Sequence, residues 1–144
     1  MQFLALISLF VSYIAGPLST DADKITGRWI SPNKDLIVRC YKGSDGKYYG
    51  KLVWFKVYPG DKEEANCDIP QDQWVNKVVL SGFEYKDDEW SGGIIKNIRE
   101  CNSYDAFIEL QPDGTLKATG FIIFRWLSES IVFSKYNGNL PRQE

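Results

Sequence analysis

The chain has 144 residues, enough for one domain with a sizeable core and too few for two. It is 44% hydrophobic, 25% charged and 15% aromatic, the profile of a globular protein with a ring-rich interior. A net charge of −2 supplies no basic excess to track a phosphate backbone, which argues against nucleic-acid binding, and the absence of histidine removes Ser-His-Asp and Cys-His pairs, histidine zinc ligands and histidine general bases.

The chain opens on thirteen mostly apolar residues, Phe3 to Ala15. A membrane span needs roughly 20 residues, whereas the apolar region of a signal peptide is about this short. Gly16, Pro17 and Ser19 then break the run, and Thr20-Asp21-Ala22-Asp23 is polar. Residues 1–22 are therefore expected to be a signal peptide, with small residues that permit cleavage after Gly16 or after Ala22. No cysteine follows the run to carry a lipid. The expectation is an exported protein, periplasmic or secreted, with no transmembrane segment after cleavage.

Export would place Cys40, Cys67 and Cys101 in an oxidising compartment, where three cysteines permit one disulfide. Cys40 falls on the apolar face of an expected strand and reads as a small buried hydrophobe. Cys67 and Cys101 both fall in expected loops and are the more plausible pair.

From Ile25 onward the dominant signal is alternation with a period of two. Leu36, Val38 and Cys40 share one face of their segment. Tyr104, Ala106, Ile108 and Leu110 alternate with Asp105, Phe107, Glu109 and Gln111, and Leu116, Ala118, Gly120, Ile122 and Phe124 line one face of the next run. Strands are predicted over residues 25–31, 35–42, 47–57, 76–85, 88–97, 103–111, 114–124 and 128–136. Gly43-Ser44-Asp45-Gly46, Lys86-Asp87-Asp88 and Pro112-Asp113-Gly114 supply turn chemistry between neighbours. The fold class this predicts is all-β: an eight-stranded antiparallel up-and-down β-barrel over residues 23–136, with 137–144 a frayed tail. Closure is favoured because an open sheet would leave long apolar edges unpaired.

Residues Tyr58 to Gln73 form the one long connection, with Asp61, Glu63, Glu64, Asp68 and Asp72 against Lys62. No calcium-loop spacing is present, so a solvated acidic flap is expected there and no metal or other cofactor. Trp90-Ser91-Gly92-Gly93-Ile94 reads as a strand that bends sharply and packs closely against another backbone.

Gly27-Arg28-Trp29 opens the first strand. The motif resembles the Gly-x-Trp of lipocalin-type barrels, in which the indole plugs the closed end and a basic residue of the last strand covers it. Lys135 is the candidate cover. Gly27, Trp29, Gly92, Gly93 and Lys135 are accordingly expected to be structural.

A more specific resemblance follows from an ordered series of motifs. These are Gly27-x-Trp29, Gly50-Lys51-Leu52-Val53-Trp54, Leu80-x-Gly82, Trp90-x-Gly92-Gly93-x-Ile95 with Tyr104 closing the segment, and Asp113-Gly114-x-Leu116 before Gly120-Phe121. The series resembles a family of small exported bacterial proteins known as a domain of unknown function, DUF2147. That resemblance implies a lipocalin- or streptavidin-like barrel and bacterial export, and implies no activity. The Asp-x-x-Asn-Pro, Tyr-Asp-Pro and closing Trp-x-Arg elements of the family are altered here, to Asp68-Ile69-Pro70-Gln71-Asp72, Ile95-Lys96-Asn97-Ile98 and Phe133-Ser134-Lys135.

Function is read from this architecture. Leu52, Trp54, Trp90, Ile94, Tyr104 and Phe124 are the candidate lining of a cavity for a small, partly apolar ligand. The alternative is an envelope or extracellular interaction module with a packed core, using exposed aromatics such as Tyr41, Tyr49 and Phe107. No catalytic constellation is recognisable; a hydrolase would need paired carboxylates such as Glu89 with Asp105 or Glu109, and the expectation is a protein that is not an enzyme.

Overall fold

A computed structural model describes residues 21–59, 69–122, 124–125 and 128–144. Eight strands follow a short 3-10 helix, Asp21–Ile25. They are β1 (Gly27–Ile30), β2 (Leu36–Lys42), β3 (Tyr48–Phe55), β4 (Val78–Lys86), β5 (Glu89–Asn97), β6 (Asn102–Leu110), β7 (Leu116–Phe121) and β8 (Ser128–Lys135). Each pairs antiparallel with the next, and β8 returns to β1, so the sheet closes into an up-and-down barrel. Period-two patterning produces this outcome because every strand has one apolar face to bury and closure leaves few edges exposed.

Inward positions carry the core. Trp29, Val38, Cys40, Tyr48, Leu52, Phe83, Trp90, Ala106, Ile108, Leu116 and Ala118 are all buried in one interior cluster. Two irregularities interrupt the alternation. Between β2 and β3 the register jumps from Val38↔Leu52 to Ile37↔Trp54, so β3 carries one extra residue and the next inward side chain is Phe55. Between β5 and β6 it jumps from Trp90↔Ile108 to Gly93↔Ala106, and Gly92 takes a φ of 73° in the extra position.

The helix Asp21–Ile25 stoppers one end of the barrel. The Trp29 indole N–H donates to the Ile25 carbonyl at 2.8 Å, that of Trp90 to the Ala22 carbonyl at 3.0 Å, and the Tyr48 hydroxyl to Asp23 at 2.7 Å. Three rings that would otherwise bury unpaired donors are thereby satisfied by one turn of chain.

The C-terminal segment is not the frayed tail expected from sequence. The Gln143 side chain accepts from the Phe55 N–H at 3.2 Å and donates to the Phe55 carbonyl at 2.9 Å. The Trp54 indole donates to the Arg142 carbonyl at 3.4 Å. A side-chain amide offers one donor and one acceptor, so it completes the end of β3 as a neighbouring strand would. Ile37, between Ile30 and Trp54 in the register, is outward-facing yet 0% exposed.

Candidate functional site: the seam between the first and last strands

β1 has only four residues and β8 has eight. Their pairing is limited to Trp29↔Lys135 and Ile30↔Ser134. Among the described residues Ser128 to Phe133 therefore have no strand partner on that side, and a slot opens in the wall. The chain leaves β1 early because Ser31 holds a tight turn. Its hydroxyl donates to Asp35 at 2.5 Å and accepts from the backbone N–H groups of Asp35 and Leu36.

β8 faces the interior with Phe133, opposite buried Leu116, and with Ile131, opposite buried Ala118. Although it points inward, Ile131 is 39% exposed, and among the described residues no strand pairs with it on the β1 side. Phe133 also lines a void of about 10 Å³, together with Trp29, Val38, Cys40 and Ile108 among others. Such a volume suits no more than one water, and its lining offers that water no polar partner. This void is too small to hold a ligand, whereas Ile131 is exposed at the slot.

The six residues expected to line a cavity separate accordingly. Leu52 and Trp90 are buried in the core, and Tyr104 is half-buried on the inward face, paired with Ile95. Trp54 and Ile94 are corrections, since each lies just past a bulge that moves the following residue inward. Trp54 points out to the C-terminal segment, and Ile94 is 45% exposed on the outer wall. Phe124 is 54% exposed beyond the end of β7. Sequence reading missed Ile131 and Phe133. Their signal was the turn-forming Ser31-Pro32-Asn33-Lys34, which shortens β1 against a long β8.

The structural residues stand as follows. Lys135 Nζ lies 4.7 Å from the centroid of the Trp29 ring and donates to the Thr26 carbonyl at 2.8 Å. A Cβ on Gly27 would come within 2.5 Å of that ammonium, and one on Gly93 within 2.5 Å of the Phe83 ring. Cys40 is free and buried, its thiol pushed up to about 12 by loss of solvent. Cys101 is disulfide-bonded; Cys67, its expected partner, lies outside the described residues, as do the expected signal segment up to Thr20 and most of the expected acidic flap.

The other end of the barrel is roofed. Trp74 packs 5.1 Å from Phe55 and donates to the Ile69 carbonyl at 3.1 Å. The Arg99 guanidinium sits 5.2 Å from the Tyr58 ring and 5.6 Å from Trp74, and donates to the Lys56 carbonyl at 2.8 Å. The carboxylates considered for hydrolysis lie on the outer wall. Glu89 and Glu109 are cross-strand neighbours, and Glu89 pairs with Arg125 at 2.7 Å. No cluster of three metal-ligating side chains occurs among the described residues, and no helix among them is long and apolar enough to cross a membrane. At the slot itself the chemistry available is apolar contact.

Comparisons with known proteins agree with this architecture. A family profile described as "Uncharacterized protein conserved in bacteria (DUF2147)" matches residues 27–135. Among solved structures, protein HP1028 from Helicobacter pylori, described as belonging to the lipocalin family, aligns with a TM-score of 0.58 at 15% identity. The alignment covers 78% of this chain and 83% of that one, and shows a shared fold. No curated protein gives a significant sequence match.

Proposed function

The chain belongs to the DUF2147 family of bacterial proteins, and from that premise we propose that it is an exported, non-enzymatic lipocalin-like barrel that binds one small, partly apolar ligand at the β1–β8 slot. The observation that carries this reading is Ile131, inward-facing yet 39% exposed, on the same face of its strand as half-buried Phe133, which lines an apolar void. Exposed apolar surface inside a concave wall costs about 25 cal/mol per Å² in water, which a ligand's own apolar surface would recover. In this reading the guest lies in the slot against Ile131 and Phe133, outside the void of about 10 Å³.

The leader Phe3 to Ala15 supports export. Since Asp21–Ile25 belongs to the folded body, the reading places cleavage after Gly16, leaving the Ala22 carbonyl for Trp90. The outer-wall position of Glu89 and Glu109, with Glu89 already paired to Arg125, supports a binding role over a hydrolytic one.

Titration with the neutral fluorophore N-phenyl-1-naphthylamine tests the proposal. One saturable site, weakened at least 10-fold by Ile131→Gln with the thermal midpoint unchanged, is the expected result. Absence of saturable binding, or equal binding by the variant, would instead favour a packed interaction module with no guest.

A further inference from the structure

The outer wall of β1–β3 carries a second feature, independent of the slot. Arg28, Arg39 and Lys51 are directly opposite one another across three neighbouring strands. Like charges placed opposite across a ladder destabilise a sheet. Among the described residues no carboxylate forms an ion pair with any of the three, in a chain whose overall charge is −2. Arg28 lies 5.5 Å from the Tyr136 ring and Lys51 lies 5.3 Å from Tyr41, whereas Arg39, the middle cation, is exposed and has no ring beside it.

The next outward row is Tyr41 and Tyr49, also cross-strand partners, with half-exposed rings stacked at 5.9 Å. The row on the other side, Ile30, Ile37 and Trp54, is where the C-terminal segment docks. The open part of the wall is therefore a stripe of three cations bordered by a tyrosine pair. Asp45 is the carboxylate nearest this border, and it is engaged by the Tyr49 hydroxyl and the Lys47 N–H.

We propose that this stripe binds an acidic polysaccharide, its carboxylates on Arg28, Arg39 and Lys51 and its sugar rings against Tyr41 and Tyr49. Strand spacing puts the three cations over about 10 Å, a span that adjacent acidic sugars can reach. Guanidinium groups suit carboxylates because they can donate two parallel hydrogen bonds, and an amphipathic tyrosine suits a sugar, which presents C–H faces as well as hydroxyls. A membrane surface fits less well, since the rows beside the cations present a stacked pair of half-exposed tyrosines and an apolar row on which the C-terminal segment docks.

The test uses the exported chain with polygalacturonate in low salt. Neutral dextran, polyglutamate of matched charge and phosphatidylglycerol vesicles serve as the other arms. The expected result is saturable binding to polygalacturonate, weaker by 10-fold or more for polyglutamate and absent for dextran. Arg39→Gln should weaken it at least 5-fold and Arg39→Lys less, with the thermal midpoint of Arg39→Lys unchanged and that of Arg39→Gln no lower, since the glutamine removes a like charge from between Arg28 and Lys51. Tyr41→Ser should reduce the preference over polyglutamate. Equal binding of polyglutamate, binding to the vesicles alone, or full affinity in Arg39→Gln would overturn the proposal.

Discussion

Lys135 covers Trp29: the ammonium stands 4.7 Å from the indole centroid and ties the last strand to the Thr26 carbonyl ahead of the first. The contact reinforces the barrel where β1 and β8 share only two register pairs. Lys135→Met keeps the stem and removes the charge, so it should cost about 1–2 kcal/mol by denaturant unfolding. Lys135→Arg should retain most of that stability. Equal stability of wild type and Lys135→Met would show that the two strands hold without this contact.

Two adjacent glycines should respond differently to alanine. At Gly93 the added Cβ meets three atoms of the Phe83 ring at 2.5–2.6 Å, so Gly93→Ala overpacks the core and should cost about 1–3 kcal/mol. At Gly92 the Cβ has open space but φ is 73°, and the cost of Gly92→Ala should be backbone strain alone, about 1 kcal/mol. Thermal unfolding of both variants should rank Gly93→Ala as the more damaging.

The stopper helix makes a prediction about processing. A mature chain starting at Asp23 would lose the Ala22 acceptor of the buried Trp90 indole and the Asp21–Lys24 pair. On the proposal that the leader is removed on export, the intact mass of the mature protein should therefore include Asp21 and Ala22. A recombinant chain begun at Asp23 should unfold about 1–2 kcal/mol more easily than one begun at Pro17.

Alkaline pH should unfold the protein ahead of any acid effect from these groups. Burial raises the Cys40 thiol from 9.0 to about 12, and burial together with the Asp23 hydrogen bond raises the Tyr48 phenol from 10.0 to about 12. In both, the folded state holds its proton more tightly than the unfolded chain does. Their contribution is complete below pH 9 and is lost as pH rises toward 12. The denaturant midpoint should be flat from pH 7 to 9 and fall above it, less steeply in Tyr48→Phe. For the same reason Cys40 should resist thiol reagents at pH 8 until the barrel opens.

Much of this molecule was legible in its residue order. Alternation over segments such as Tyr104 to Leu110, with turn chemistry at Gly43-Ser44-Asp45-Gly46 and Pro112-Asp113-Gly114, specified eight strands and their antiparallel order, because side-chain alternation and turn geometry are local properties. The cost of leaving long apolar edges unpaired argued for closure, and the Gly-x-Trp resemblance added the Trp29–Lys135 pair. Tertiary structure alone decided which faces those strands present beyond each bulge. Where an extra residue is absorbed depends on the partner strand, so Trp54 and Ile94 turned outward although local alternation pointed them in. It also decided where the wall stays open. The Ser31 turn ends β1 after four residues while β8 continues, and only their juxtaposition exposes Ile131 from within. Likewise Arg28, Arg39 and Lys51 stand apart in the sequence, and it is strand pairing that sets three like charges side by side.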